Sequence, residues 1–256
     1  MTTTAARRGT RFRYEADMLP ALRAAIPELA FGREYRAAVE TYREVPAVHG
    51  IPDLAAIRFD EAALARRDQA GITPLSTDVE VRAVLALGQE ALNLGELAER
   101  MRATRDYVRR AVLPLLEGEN WVVRTDDGRI RRHPDALWAA RRVVTVEAKL
   151  RDWTRAVAQA RRQRLSADAA YIAVDHAATA SMLAELDAIA ANGIGVITVG
   201  ADTGRCRVLV RPQRVLTRNQ TMVGRMLIAE RCLDMRARGE SDGQIYPVFG
   251  WTAPIS

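Results

Sequence analysis

The chain of 256 residues contains few of the residue types on which many enzymes depend. Its two cysteines, Cys206 and Cys232, lie far apart and form neither a CxxC zinc pattern nor a disulfide framework. Its three histidines share no common spacing, which argues against zinc hydrolysis and Ser-His-Asp catalysis. An apolar run approaching the roughly 18 residues of a membrane span is also missing, as is a secretory signal. We therefore expect a cytoplasmic protein that has no membrane partner.

Lysine is nearly absent, because Lys149 is the single lysine among the 38 basic residues. Arginine is planar, bulky and always charged, whereas lysine is a compact point charge. A lone lysine can therefore mark a position that arginine cannot fill. The net charge of +6 favours a polyanionic partner, although an arginine-rich composition alone can produce it.

What the sequence does contain is the alternation of strands and helices that is typical of an α/β protein. Hydrophobic residues make up 48% of the chain, enough for a substantial core. Apolar spacing predicts strands over 143–150, 169–174, 195–200 and 206–211, and helices over 151–165, 177–191 and 215–238. The chain divides into a basic arm (1–13), a discontinuous core (14–60 and 138–213), a linker (61–77), an insert (78–134), and a C-terminal helix and tail (214–256).

The strand predicted over 143–150 carries two charged residues on one face. Side chains alternate along a strand, so Glu147 and Lys149 point to the same side. The opposite face, formed by residues 144, 146, 148 and 150, is wholly apolar. Burying a charged group costs on the order of several kcal/mol unless the group is paired or binds a metal. The Glu-x-Lys spacing therefore indicates either a simple ion pair at a strand end or part of a metal site.

A metal site needs a second carboxylate, because a hard divalent cation takes several oxygen ligands and binds weakly to one carboxylate. Two aspartates that follow a proline compete for this role, Asp53 and Asp135. Asp53 begins an apolar strand of its own, whereas residues 136–142 contain no turn that would fold Asp135 back against Glu147. The sequence favours Asp53 and leaves Asp135 as the alternative.

Two short motifs and the helix after them resemble those of the PD-(D/E)xK nuclease superfamily. The matching segments are Ile51-Pro52-Asp53, Val146-Glu147-Ala148-Lys149 and the predicted helix over 152–160. The resemblance covers 14–60 and 138–213 and implies a restriction-endonuclease-like fold, in which helices flank a central mixed β-sheet. Within the helix, Gln159 matches a glutamine of some members, whereas Gln163 stands where a tyrosine is common.

The resemblance implies metal-dependent hydrolysis of phosphodiester bonds. Asp53, Glu147 and the backbone carbonyl of Ala148 would hold Mg²⁺ (or Mn²⁺), which polarises the phosphate and lowers the pKa of bound water. Lys149 would orient that water and stabilise the charge on the phosphorus. Glu40 and Glu44, upstream of Asp53, are further candidate carboxylates, with an ordinary surface position as the alternative.

The insert resembles a winged helix-turn-helix domain, with three helices followed by a hairpin that turns at Asp127-Gly128. Thr104 is the predicted N-cap of the third helix, which contains Pro114, a residue that kinks or shortens helices. The residues expected to face DNA are Arg105, Asp106, Arg109 and Arg110 on the helix, and Arg129, Arg131 and Arg132 on the hairpin. A helical protein-interaction module with a solvated basic face is the alternative.

These patterns together predict a metal-dependent endonuclease that acts on DNA, expected to be double-stranded, with an inserted winged helix that selects or grips the DNA. A recognition helix close to the metal site is part of this prediction. The alternatives are a non-catalytic DNA-binding regulator on a nuclease-like scaffold, and an exonuclease or an RNA-directed nuclease. The C-terminal helix is expected either to pack on the core or to form a homodimer.

Overall fold

A six-stranded β-sheet organises the chain in the computed structural model, which describes residues 11–215 and 219–243. Its strands lie in the order β1-β2-β5-β6-β7-β8. Their bounds are β1 Val39–Arg43, β2 Leu54–Phe59, β5 Ala140–Lys149, β6 Ala169–Asp175, β7 Gly195–Val199 and β8 Cys206–Val210. β2 is antiparallel to both of its neighbours, β1 and β5, while β5, β6 and β7 run parallel, and β8 is antiparallel to β7. The sheet is therefore mixed.

Helices cover both faces of this sheet. The helices are α1 Leu19–Ile26, α2 Glu61–Gln69, α3 Asp78–Leu87, α4 Leu94–Met101, α5 Arg105–Tyr107, α6 Leu113–Gly118, α7 Trp153–Gln163, α8 Leu186–Ala191 and α9 Asn219–Ala237. One face, with Val144 and Val146, packs against α1, and the other packs against α7 and α9. The expected α/β class, a mixed sheet flanked by helices, is confirmed.

Two segments differ from the sequence prediction. Half of the predicted linker is helix α2, which begins because the Asp60 side chain caps the backbone N–H of Ala63. The predicted helix over 177–191 is instead two 3₁₀ segments, His176–Ser181 and Leu183–Glu185, followed by α8. Its buried residues Thr179 and Met182 are three positions apart, which suits the three-residue turn of a 3₁₀ helix.

The insert consists of α3 to α6 and a two-stranded hairpin, β3 Val122–Arg124 and β4 Ile130–Arg132. Gly128 adopts a positive φ of 76° in the hairpin turn, a conformation that favours glycine. Thr104 caps the third helix as predicted. Pro114 does not break this helix, because a π-helical turn at Val108–Val112 precedes it and the proline lies in the first turn of α6.

The hydrophobic core of the insert extends beyond residues 78–134. It includes Ile72 and Leu75 before the insert, Ala136 after it, and Met226 and Leu227 of α9. Farther along α9, Ile228, Ala229 and Cys232 pack against the six-stranded sheet. Helix α9 therefore belongs to both cores. Within the described part of the chain, no helix has the length and apolar character that a membrane crossing requires.

Candidate active site

The register of β2 against β5 places Asp53 beside the Glu-x-Lys motif. Leu54 pairs with Val146 in the antiparallel ladder, so Asp53 lies one residue beyond, next to Glu147 and Ala148. Its Oδ2 atom accepts a hydrogen bond of 2.6 Å from the backbone N–H of Ala148. This bond fixes the Asp53 carboxylate at the end of both strands.

The ammonium group of Lys149 is the centre at which the acidic side chains meet. Its Nζ atom lies 3.1 Å from Glu147 Oε1, 3.7 Å from Asp53 Oδ2 and 3.0 Å from Glu15 Oε2. It also donates a 2.8 Å hydrogen bond to the backbone carbonyl of Ala148. The structure thus brings Asp53, Glu147, Lys149 and the Ala148 carbonyl together, and three carboxylates face one positive charge.

Glu15 is a member of this group that the sequence analysis did not include. It lies in a 3₁₀ segment, Glu15–Met18, whose Met18 is buried against the sheet. Its separation from Lys149 is 134 positions along the chain. No local spacing links two residues so far apart, so a single sequence holds no signal for this contact.

The glutamine that contacts the site is Gln163, not Gln159. Gln163 Nε2 donates a 2.7 Å hydrogen bond to Glu147 Oε2, and both side chains are buried. Gln159 lies one helical turn earlier on α7, and its Oε1 atom is buried without a hydrogen-bond partner among the described residues. The packing of α7 on β5 therefore places Gln163 against the carboxylate, and a role of Gln159 stays a prediction.

Burial dominates the electrostatics of the site. Burial raises the pKa of Asp53, and burial followed by the charge of Asp53 raises the pKa of Glu147. Burial alone would lower the pKa of Lys149, but the carboxylates of Asp53, Glu15 and Glu147 outweigh it and hold this pKa above its ordinary value. Lys149 is therefore protonated, and its one charge does not balance the carboxylates around it.

This oxygen set fits a small hard cation. Carboxylate and carbonyl oxygens surround the Lys149 ammonium group, and these are the ligand types that Mg²⁺ prefers. Among residues 11–215 and 219–243, no three acidic, histidine or cysteine side chains are arranged to hold a metal by themselves. Two carboxylates, one carbonyl and water would therefore have to form the shell, as Mg²⁺ sites commonly do.

The other candidate carboxylates lie outside this group. Asp135 forms an ion pair of 2.5 Å with Arg66 of α2. Glu40 accepts a short hydrogen bond from the Tyr42 hydroxyl and pairs with Arg236 of α9. Glu44 follows β1 with a positive φ of 52° and makes no ion pair with described residues. Among the described residues, the ion pairs of Lys149 are with Glu15, Asp53 and Glu147, and include none of Asp135, Glu40 and Glu44.

Most of the predicted DNA-facing residues are exposed on the insert. Arg105, Asp106, Arg109 and Arg110 are exposed, and Asp106 pairs with Arg109 at 2.6 Å and with Arg110 at 3.6 Å. On the hairpin, Arg131 is exposed, Arg132 is half-buried and Arg129 pairs with Asp127 at 3.3 Å. The third helix and the hairpin thus each carry exposed arginines, several of them paired with a neighbouring aspartate.

The insert joins the sheet at the end opposite the acidic group. Phe59, the last residue of β2, pairs with Ala140, the first residue of β5, and the insert lies between them in sequence. Glu147 lies seven positions after Ala140 along β5, which is roughly 23 Å at the usual rise of a strand. The insert therefore leaves the sheet at the end opposite Lys149, and a third helix close to the acidic group stays a prediction.

Comparison of the chain with protein-family models, with curated proteins and with solved structures found no match.

Proposed function

We propose that the protein is a metal-dependent nuclease that hydrolyses phosphodiester bonds of DNA, with the insert binding the DNA. The observation that carries this proposal is the convergence of Asp53, Glu147 and the Ala148 carbonyl on the ammonium group of Lys149. A buried charge cluster of this kind is costly for stability, which favours a functional role over a structural one. The sequence resemblance to PD-(D/E)xK nucleases supports the same activity.

In this proposal, Asp53, Glu147 and the Ala148 carbonyl hold Mg²⁺ or Mn²⁺, and Glu15 adds negative charge beside them. The ion supplies Lewis-acid chemistry, since it polarises a phosphate and lowers the pKa of bound water. Lys149 remains protonated and stabilises negative charge on the phosphate. Gln163 holds the Glu147 carboxylate in place through its hydrogen bond.

The test uses two aspartates that share the same Pro-Asp context. Purified wild-type, Asp53→Asn and Asp135→Asn proteins are incubated with supercoiled and linear DNA in Mg²⁺, Mn²⁺ or EDTA. We expect metal-dependent cleavage by the wild type, a loss of about a hundredfold or more in Asp53→Asn, and unchanged cleavage in Asp135→Asn. Glu147→Ala and Lys149→Ala should also lose cleavage while DNA binding persists.

Two results would contradict this function. Cleavage that is equal in Asp53→Asn and Asp135→Asn would show that the acidic group is not the active site. DNA binding without cleavage of any substrate in any metal would favour the non-catalytic regulator. An exonuclease needs a strand end and cannot act on covalently closed DNA, so nicking or linearisation of supercoiled DNA separates the endonuclease from that alternative.

A further inference from the structure

A groove opens beside the acidic group at the carboxyl ends of the parallel strands β5 and β6. It encloses about 780 Å³, and its walls are the N-terminal residues 11–13 and 15, the residues 150–152 after β5, and residues of the 3₁₀ segment after β6. Glu15 lines this groove and also contacts Lys149 at 3.0 Å. The groove is therefore continuous with the proposed active site.

The acidic residues of the groove are already engaged by the protein. Asp175 is buried and accepts backbone hydrogen bonds from Phe12 at 3.3 Å and from Ala177 at 2.9 Å. Asp152 caps α7 through a 2.9 Å hydrogen bond from the backbone N–H of Arg155. Glu15 is paired with Lys149. These carboxylates leave the arginines of the groove without an acidic partner.

Three arginines line the groove: Arg11, Arg13 and Arg151. All three are exposed, and no acidic side chain of the described residues forms an ion pair with any of them. Residues 1–10, 216–218 and 244–256 contain no aspartate or glutamate that could pair with them. The groove therefore presents, next to Lys149, three guanidinium groups that form no ion pair with a described residue.

We infer that this groove binds backbone phosphates of the DNA strand that is cut, on one side of the scissile bond. The inference rests on the proposed function. A guanidinium group is planar and always charged, and it binds phosphate oxygens through two parallel hydrogen bonds. Three such groups beside a site that acts on a phosphodiester match the charge of the adjoining phosphates. The bound phosphates are either internal ones or the phosphate at a strand end.

The experiment measures DNA binding by the full-length protein in EDTA, so that it does not depend on cleavage. The variant is Arg11→Ala/Arg13→Ala/Arg151→Ala, and the control is Arg205→Ala/Arg207→Ala/Arg211→Ala. The control removes the same charge from exposed arginines at β8, which β6 and β7 separate from β5. The probes are labelled short duplexes that carry either a 5′-phosphate or a 5′-hydroxyl, with affinity measured by fluorescence anisotropy over a range of salt concentrations.

We expect the groove variant to bind about tenfold or more weakly than the wild type, and the slope of log affinity against log salt to fall by about two to three. A loss confined to the 5′-phosphate duplex assigns the groove to a strand end, and an equal loss on both probes assigns it to internal phosphates. Binding equal to that of the wild type, or equal to that of the control, overturns the inference. If the groove variant binds more weakly than both the wild type and the control, but the wild type cleaves no DNA, the nuclease activity is refuted and the inferred phosphate site is retained.

Discussion

Lys149 lies among more carboxylate oxygens than its single charge can balance. Asp53, Glu147 and Glu15 all contact its ammonium group, and the first two have raised pKa values because they are buried. A strand-end ion pair of the ordinary kind would need one carboxylate. The excess of negative charge is the residue-scale reason for assigning a divalent cation to this group.

Gln163 is expected to position Glu147 for catalysis. Gln163→Ala removes a hydrogen bond to a buried carboxylate, which is worth about 1.5–3 kcal/mol and corresponds to a fall of about 10- to 100-fold in kcat. Because Gln163 does not reach the substrate in this assignment, KM should change little. Steady-state cleavage kinetics check this split.

The matched control for Gln163 is Gln159→Ala, on the same helix and one turn away. The buried oxygen of Gln159 has no hydrogen-bond partner among the described residues, so its removal should leave kcat unchanged. An equal fall in kcat in both variants would mean that α7 acts through its packing and that the Gln163 hydrogen bond has no special role.

At the scale of elements, the third helix of the insert and its hairpin carry the arginines expected to bind DNA. Several of them are held by neighbouring acidic groups, as Asp106 holds Arg109 and Arg110. Exposed ion pairs of this kind contribute about 0–1 kcal/mol, so they open at little cost when phosphates approach. Arg105 packs closely against Gly95 of α4. Its Nη2 atom lies 2.9 Å from the position that a Cβ atom would occupy at that glycine.

Removing two of these arginines tests the insert. Arg105→Ala/Arg109→Ala should weaken binding to duplex DNA and lower the slope of log affinity against log salt by about two, since two phosphate contacts are lost. Arg33→Ala/Arg36→Ala, which removes the same charge from exposed residues of the core, should leave both quantities unchanged. A salt titration of binding measures them. Unchanged binding in the first variant would assign the insert to protein interactions.

At the scale of the whole molecule, a buried ion pair ties the insert to the core. Arg67 of α2 makes two 2.8 Å contacts with Glu230 of α9, and both side chains are 2% exposed. The Arg67 guanidinium lies 4.6 Å from the Trp121 ring centroid, at the start of the hairpin. Glu230 also accepts a 3.2 Å hydrogen bond from the backbone N–H of Leu75. The linker, the insert and the C-terminal helix meet at this pair, and α9 in turn packs against the six-stranded sheet.

Breaking this pair should destabilise the entire protein. Glu230→Gln leaves the Arg67 charge buried without its partner, which costs about 3–5 kcal/mol in the free energy of unfolding. For a chain of this size, we expect a fall in Tm of roughly 10 °C. Thermal unfolding followed by circular dichroism measures this change.

The comparison variant is Glu61→Gln, which removes an exposed partner of Arg236 on the same pair of helices. Its effect should stay below about 1 kcal/mol, because solvent screens an exposed pair. If both variants lower Tm by the same small amount, the insert and the core are not joined through the Arg67–Glu230 pair.

The sequence by itself determined the features that depend on local periodicity. Strand alternation placed Glu147 and Lys149 on one face, apolar spacing predicted strands that the structure contains, and Asp-Gly predicted the hairpin turn. The preference for Asp53 over Asp135 also came from local signals, namely an apolar strand after one and no turn after the other. Such signals arise because hydrogen-bonding and side-chain periods repeat within a few residues.

Only the tertiary structure decided which distant residues meet. It brought Glu15 to Lys149 and placed Gln163, not Gln159, in contact with Glu147. It also packed α9 against two hydrophobic cores and joined the insert to the sheet at the far end of β5. These contacts depend on strand register and on how helices pack over the sheet, and one residue of register changes which side chains share a face. Residues separated by more than a hundred positions leave no spacing in the sequence that could reveal their contact.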